Sequence, residues 1–255
     1  MVLGVIPARG GSVTIKRKNL YPLNGIPLIA YTIKAAQDSR LDDIIVTTDD
    51  DEIATYSRSM GCKVVREPAM GQGEPGVIVK SVQYAVAEYE RNGDYVDAVC
   101  LLQPTSPLRT VEDIDTCLDM WAKHPDTWSI VSVCDGIHPK KSYLPAGERG
   151  EPFFDDPTPY DKHINKCYTR NGAVFMIRRH MLDLGWVKTQ NPFLYIMPKT
   201  RSIDIDDMED VAIAEALLST RKARSLKAQW LALSPDERKE IAEQYERDLK
   251  EANAQ

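Results

Sequence analysis

The sequence predicts an α/β protein with three layers, in which helices cover both faces of a mostly parallel sheet. Two observations carry this. Short apolar runs alternate with helix-patterned stretches over most of the chain, the rhythm of βαβ units. The first apolar run also empties into a glycine-rich basic turn, at the strand's carboxyl end where open α/β sheets bind ligands.

That first strand is Val2-Leu3-Gly4-Val5-Ile6, and its loop runs through Pro7-Ala8 into Arg9-Gly10-Gly11-Ser12-Val13-Thr14-Ile15-Lys16-Arg17-Lys18-Asn19. Pro27 opens a helix that continues to Ala36, proline being suited to a first helical position. Ile44–Thr48 is a strand ending at Asp49-Asp50, which open a helix stopped at Gly61. Lys63–Arg66 is the third strand, and a Gly/Pro-rich loop over 67–76 leads into a helix over 77–91. Ala98–Leu102 is a strand, followed by Gln103-Pro104-Thr105-Ser106-Pro107-Leu108-Arg109, a helix through Ile114, Leu118 and Trp121, and the strand Ser129–Val133. The pattern breaks over about 136–168, too long for an ordinary connection and read as an inserted arm. It resumes with a strand at Gly172–Ile177, a last short strand at Ser202–Asp206 and a helix over 208–218. Two units follow: a main domain over 1–218 and a polar helical extension over 219–255. In the extension, Ser234-Pro235-Asp236-Glu237 is a capping box.

The 255 residues suffice for one large domain with an insertion. A net charge of −6 argues against a general nucleic-acid surface, and no run reaches the ~18 apolar residues of a membrane span. An anionic ligand then needs a local basic patch. Five scattered cysteines without a C-x-x-C pair, behind a start with no signal-peptide pattern, give the expectation of free thiols in the cytoplasm.

The basic loop lacks both G-x-x-x-x-G-K-[ST] and G-x-G-x-x-G. Gly10 and Gly11 let backbone N–H groups face an anion, and Arg9, Lys16, Arg17 and Lys18 suit phosphate oxygens. By itself this pattern also suits a solvated basic turn. In Ile203-Asp204-Ile205-Asp206-Asp207, an extended backbone puts Asp204 and Asp206 on one face. They are either a site for a hard divalent cation or N-terminal charges for the next helix. The proline-fixed 103–109 loop and Tyr168-Thr169-Arg170-Asn171-Gly172-Ala173 are each a rigid turn or a platform for polar side chains.

Taken together and in this order, the 6–19 loop, the Leu101–Arg109 run, Asn171-Gly172-Ala173 and Ile203–Asp206 resemble the acylneuraminate cytidylyltransferase family. These are the CMP-sialic acid synthetases and relatives acting on legionaminic and pseudaminic acids. Gly25–Ile29, Thr47–Asp50 and His138–Lys141 add to the match, which covers about residues 1–218. The resemblance implies a nucleotidyltransferase-type (Rossmann-like) fold that joins CTP to an acidic 2-keto-3-deoxy sugar with release of pyrophosphate. It implies nucleotide contacts from Ala8, Arg9, Gly10, Gly11, Ser12, Asn19 and Arg66, and transfer assisted by Arg9, Lys18 and Lys16. It implies acceptor contacts from Gln103, Lys141, Arg170 and Asn171, and Mg²⁺ or Mn²⁺ on Asp204 and Asp206. It also implies a homodimer built through the arm.

The chain departs from the family pattern in three places. Val13-Thr14 replaces the usual Lys-Gly, so Lys16 is expected to supply the phosphate cation. Tyr160-Asp161-Lys162-His163 stands where relatives carry an Arg-x-Gln-like element, and Glu74-Pro75 where they show an Asp. These departures leave open 3-deoxy-octulosonate or a phosphonate as acceptor, and a nucleotide-binding homologue with weakened catalysis.

Overall fold

A computed structural model describes residues 1–219 except 13, 69–75, 92, 94, 147–148 and 155–165. Val13, Glu74-Pro75, the 160–163 stretch and the C-terminal extension, all singled out in the sequence, lie outside the described residues.

The chain starts in β1 (Val2–Pro7) and enters the basic loop, which ends in a 3₁₀ turn at Lys18–Leu20. A small hairpin of β2 (Pro22–Leu23) and β3 (Ile26–Pro27) turns through Asn24 and Gly25, both at positive φ. It feeds α1 (Leu28–Gln37), so Pro27 is the residue just before the helix and not its first residue. Then come β4 (Asp43–Thr48), α2 (Asp51–Ser59), β5 (Lys63–Arg66), α3 (Val77–Glu90), β6 (Ala98–Leu101), α4 (Val111–Lys123) and β7 (Ser129–Asp135). Asp50 caps α2 by accepting from Ile53 N, and Gly61 follows it at φ +80, as the sequence predicts.

The inserted segment contains a 3₁₀ turn at Pro139–Lys141 and an antiparallel hairpin of β8 (Tyr143–Ala146) and β9 (Arg149–Pro152). The chain returns in β10 (Tyr168–Arg178), which begins four residues earlier than expected. It continues through α5 (Arg179–Asp183), β11 (Phe193–Ile196), a 3₁₀ turn at Lys199–Arg201 and α6 (Met208–Leu218).

The main sheet has the order β11-β7-β10-β6-β1-β4-β5. Every pairing is parallel except those of β10, which is antiparallel to both β6 and β7. The reason is topological. The insertion leaves β7 at the sheet's carboxyl edge and returns to that same edge, so β10 has to run backwards. The chain then starts β11 from the opposite edge, parallel to β7.

Alternation along the strands feeds two cores. Ile6, Val46, Cys100, Ile130, Val174 and Met176 pack with Ile29 and Ile33 of α1, Ile53 of α2 and Ile114 of α4. Leu3, Val5, Ile45, Val99, Val131 and Ile177 pack on the other face against Val82 and Val86 of α3 and Leu182 of α5. These are the three layers. A third cluster joins Ile15, Leu23, Tyr31, Leu108 and Ile205 to Val211 and Ala214 of α6. It ties the basic loop and the Asp204–Asp206 segment to one support.

Two expectations need correction. Residues 202–206 do not form a strand: the segment crosses the sheet's carboxyl edge, where the Ile205 N–H reaches the Thr105 carbonyl at 2.8 Å and no ladder forms. Its burial still alternates, with Ile205 inside and Asp204 and Asp206 out. Conversely, Phe193–Ile196, absent from the sequence reading, is an edge strand.

Candidate active site

The loops that leave β1, β4, β5, β6 and β7 gather at the sheet's carboxyl edge, together with the start of β10. There Pro7, Arg9, Gly11, Ser12, Lys18, Asn19, Ile78, Ser81, Gln103, Pro104 and Thr105 enclose a cavity of about 270 Å³. Residues from both ends of the first 105 positions thus form one wall.

The basic loop is held open from beneath. Ala8, fully buried, donates its N–H to the Thr47 carbonyl at 2.9 Å, and Gly10 donates its own to Asp49 Oδ1 at 2.9 Å. A Cβ on Gly10 would come within 2.6 Å of the Asp50 carboxylate, so this approach requires glycine. Asn19 donates its amide to the Arg9 carbonyl at 2.8 Å, fixing the loop's two ends together. Lys18 reaches across to the far end of the chain. Its Nζ donates to the Ile205 carbonyl at 2.8 Å and pairs with Asp206 at 3.3 Å. One ammonium group therefore joins the cavity to the acidic segment.

The remaining cations are placed differently. Arg17, at φ +57, sends its guanidinium to Asp50 at 3.1 Å and Glu52 at 2.8 Å, at the N-terminus of α2, so it does not serve the phosphate wall as the sequence predicts. Its buried Nε has no hydrogen-bond partner among the described residues. Lys16 is exposed and is not among the lining residues. Arg66, expected beside the nucleotide, instead holds the Thr48 and Asp49 carbonyls at 3.3 and 3.0 Å and pairs with Asp51 at 2.8 Å. The acids that begin α2 draw it outward. Its neighbour Glu67 is the buried residue, 5% exposed, and accepts from Thr47 Oγ1 at 2.9 Å and from Ser81 Oγ.

On the other side, Gly172 occupies φ +73 within the bulge of β10. A Cβ there would meet Gln103 Oε1 at 2.9 Å, Asp204 Oδ2 at 3.1 Å and Ser106 Oγ at 3.3 Å. Gly172 is thus the point where Gln103 and Asp204 converge. Asn171, expected among the acceptor contacts, is 3% exposed and bonded inward. It donates to Ser202 Oγ at 2.8 Å and Met197 Sδ at 3.2 Å, and accepts from Ser132 Oγ at 2.6 Å. These bonds brace the bulge of β10. Arg170 and Lys141 are exposed on the same edge, outside the lining residues.

Arg109, which the sequence quotes only as part of a motif, is buried under the site. It donates to the carbonyls of Ala173 and Gln103, each at 2.6 Å, and to Thr32 Oγ1 at 3.1 Å. Burial pushes its guanidinium down to about 10, still charged at neutral pH. It locks the Gln103 loop to β10.

Asp204 and Asp206 project from the same side of their segment. Although Asp204 faces outward, the surrounding loops partly desolvate its carboxyl and push it above the usual range; a Thr105 hydrogen bond and Lys18 oppose this, while Asp206 and Asp210 add to it. Asp207 is the cap of α6, accepting from Glu209 N and Asp210 N, which answers one of the two readings of the acidic run. With Asp207 so used, Asp204 and Asp206 are two hard oxygen donors whose mutual repulsion a divalent cation would relieve. The donor set fits Mg²⁺ or Mn²⁺.

A seven-stranded, largely parallel sheet with a basic loop after β1 and an acidic pair facing it defines a nucleotidyltransferase-like α/β protein. The chain belongs to the cytidylyltransferase family, whose model matches residues 3–244. It is 31% identical to the N-acylneuraminate cytidylyltransferase of Escherichia coli, covering 84% of this chain and 51% of that protein. The chain thus spans about half the length of that relative. It is 31% identical to the CMP-N,N′-diacetyllegionaminic acid synthase of Legionella pneumophila, over 85% of this chain and 96% of that one. With the pseudaminic acid cytidylyltransferase of Campylobacter jejuni it shares 26% identity, over 84% and 95%. Among solved structures, a CMP:2-keto-3-deoxy-manno-octonic acid synthetase complexed with CTP shares the fold at a TM-score of 0.65. Identity there is 17%, over 86% of this chain and 98% of that chain.

Proposed function

We propose that this protein transfers CMP from CTP to the anomeric hydroxyl of an acidic 2-keto-3-deoxy sugar of the nonulosonic type, releasing pyrophosphate. The observation that carries the reading is Lys18, which lines the cavity and bonds the Asp204–Asp206 segment. It gives one place where a triphosphate meets both cationic donors and a metal-binding pair.

The chemistry is an in-line displacement. The sugar hydroxyl oxygen bonds to the α-phosphorus, the bond to the β-phosphate oxygen breaks, and the hydroxyl proton leaves to solvent. Such reactions need positioning and charge stabilisation more than covalent help. The Gly10 and Ser12 N–H groups hold the loop's shape through Asp49 and the Gly10 carbonyl, Gly11 and Ser12 line the cavity beside the phosphates, and Arg9 and Lys18, with Lys16 further out, offset their charge. Gln103 stands at the opposite wall, where the acceptor has to approach, and Arg170 and Lys141 lie on that edge to meet its carboxylate. Mg²⁺ or Mn²⁺ held by Asp204 and Asp206 would draw charge from the phosphate oxygens as bonds change.

The homodimer is part of the same proposal. Ile137, Tyr143, Leu144, Phe153 and Phe154 are all at least half exposed on the inserted segment, a density of apolar groups that suits an interface. Buried free thiols at Cys62, Cys100 and Cys117 fit a reducing cytoplasm. No helix among the described residues is long and apolar enough to cross a membrane.

A coupled pyrophosphate assay with CTP, Mg²⁺ and a panel of acids tests the reading. The panel holds neuraminic, legionaminic and pseudaminic acids and 3-deoxy-octulosonate. Release dependent on a nonulosonic acid is expected. Release only with 3-deoxy-octulosonate overturns the acceptor class, and no release with any acid overturns the reaction.

A further inference from the structure

Glu67 is a buried carboxyl group to which the transfer chemistry assigns no task. It lies just past the carboxyl end of β5 and is 5% exposed, with no cation paired to it among the described residues. Thr47 and Ser81 both donate to one oxygen, Oε2. The other, Oε1, has no donor among the described residues, yet it is not sealed off as a buried orphan. Ser81 lines the cavity, so the carboxyl group stands one hydrogen bond behind the cavity wall. Its side-chain neighbour in sequence, Arg66, is turned away to Asp51. An acceptor oxygen that is neither bonded nor sealed off can take a hydrogen bond from a ligand's N–H.

We propose that Glu67 is the specificity-determining residue for the nucleobase, with Oε1 accepting a hydrogen bond from the exocyclic 4-amino group of cytosine. The inference rests on the reading of CTP as the donor substrate. A carboxylate only accepts, so it favours an amino group. Uracil would set its O4 lone pairs against Oε1, and a site built for one hydrogen bond rejects the base that leaves it unpaired. Thr47 and Ser81 fix the carboxyl group's rotation, so the discrimination is set before the nucleotide arrives. In Glu67→Gln the amide oxygen can keep the Thr47 and Ser81 bonds while the NH₂ turns to the base, which reverses the preference.

The test is calorimetric binding of CTP and UTP, with Mg²⁺, to the full chain and to Glu67→Gln, folding being checked by thermal unfolding. Wild type is expected to favour CTP, and the variant to lose that preference by tenfold or more and shift toward UTP, as loss of a charge-assisted bond implies. Unchanged CTP-to-UTP preference in a folded variant overturns the proposal and leaves Glu67 a structural group. If wild type binds neither nucleotide, the CTP reading itself has failed. If the glutamine variant does not fold, Glu67→Asp replaces it, because it retains the charge but withdraws the acceptor. It is expected to weaken CTP tenfold and leave UTP within twofold, and equal effects on both overturn the proposal.

Discussion

At the scale of single residues, Gly172 and the two metal-side acids bear the site's geometry. Gly172 combines φ +73 with a Cβ position 2.9 Å from Gln103 Oε1. Gly172→Ala therefore faces left-handed strain of about 1 kcal/mol and pushes Gln103 aside. The expected result is a several-fold rise in KM for the acid that exceeds any change in KM for CTP, measured by steady-state kinetics with each substrate varied. Asp206→Ala removes one hard donor and Lys18's ion-pair partner but no core contact, since Asp206 is exposed. Turnover is expected to fall by about a hundredfold or more at saturating Mg²⁺, with little change in the unfolding temperature. Turnover within about twofold of wild type, worth only ~0.4 kcal/mol of barrier, would contradict the metal assignment. The cationic loop and acidic pair are legible in the sequence because their residue types admit few uses. The roles of Asn171, Arg66 and Arg17 are not, because sequence does not show which way a side chain turns. Each found partners supplied by distant elements: Ser132 and Ser202 for Asn171, and the acids of α2 for both arginines.

At the scale of elements, Asp113 joins α4 to the segment that carries the acids. It is fully buried and accepts from Arg201 Nη2 at 2.7 Å, Arg201 Nε at 3.0 Å and Tyr195 Oη at 2.7 Å, while closing the capping box of α4 with Thr110. Burial works to raise its pKa, but the Arg201, Thr110 and Tyr195 bonds outweigh it, and the carboxyl is held below the ordinary range. A depressed folded pKa contributes stability that is fully present above the unfolded value. That contribution is lost as pH falls toward the folded one. Asp113→Asn is therefore expected to lower stability at pH 7 by about 2–3 kcal/mol, less than the ~3–5 of a fully buried pair because the Arg201 side chain is 36% exposed. It should also flatten the loss of stability below about pH 4. Denaturant unfolding at pH 7 and at successively lower pH checks both, and equal acid sensitivity in variant and wild type would contradict it. The elements legible in the sequence were those with strong punctuation: Asp50 and Gly61 around α2, and Asp207 before α6. β11 escaped because Phe193, Leu194 and Ile196 are exposed and only Tyr195 turns inward, so the edge strand has no alternation to mark it. The expected strand at 202–206 had the alternation but no partner strand to complete a ladder.

At the scale of the whole molecule, the insertion does two things. It returns β10 antiparallel into the sheet, which brings Gly172 to Gln103, and it displays apolar groups outward. Phe153 and Phe154, 59% and 50% exposed, are the expected anchors of the proposed homodimer. The double variant Phe153→Asp/Phe154→Asp is expected to run as a monomer in light scattering, and an unchanged dimer mass would remove the hairpin from the interface. Ending the chain at Ser219 is expected to leave CTP affinity within a few-fold of wild type, because every described lining residue of the cavity precedes it. Complete loss of nucleotide binding in a folded truncation would place part of 220–255 at the site. The central claim is the transfer itself, and ³¹P spectroscopy of the full chain with CTP, Mg²⁺ and a nonulosonic acid tests it most directly. The CTP resonances are expected to be replaced by one phosphodiester signal for the CMP-sugar and an equal amount of pyrophosphate. Free CMP with pyrophosphate, or CTP left unchanged with every acid of the panel, would contradict it.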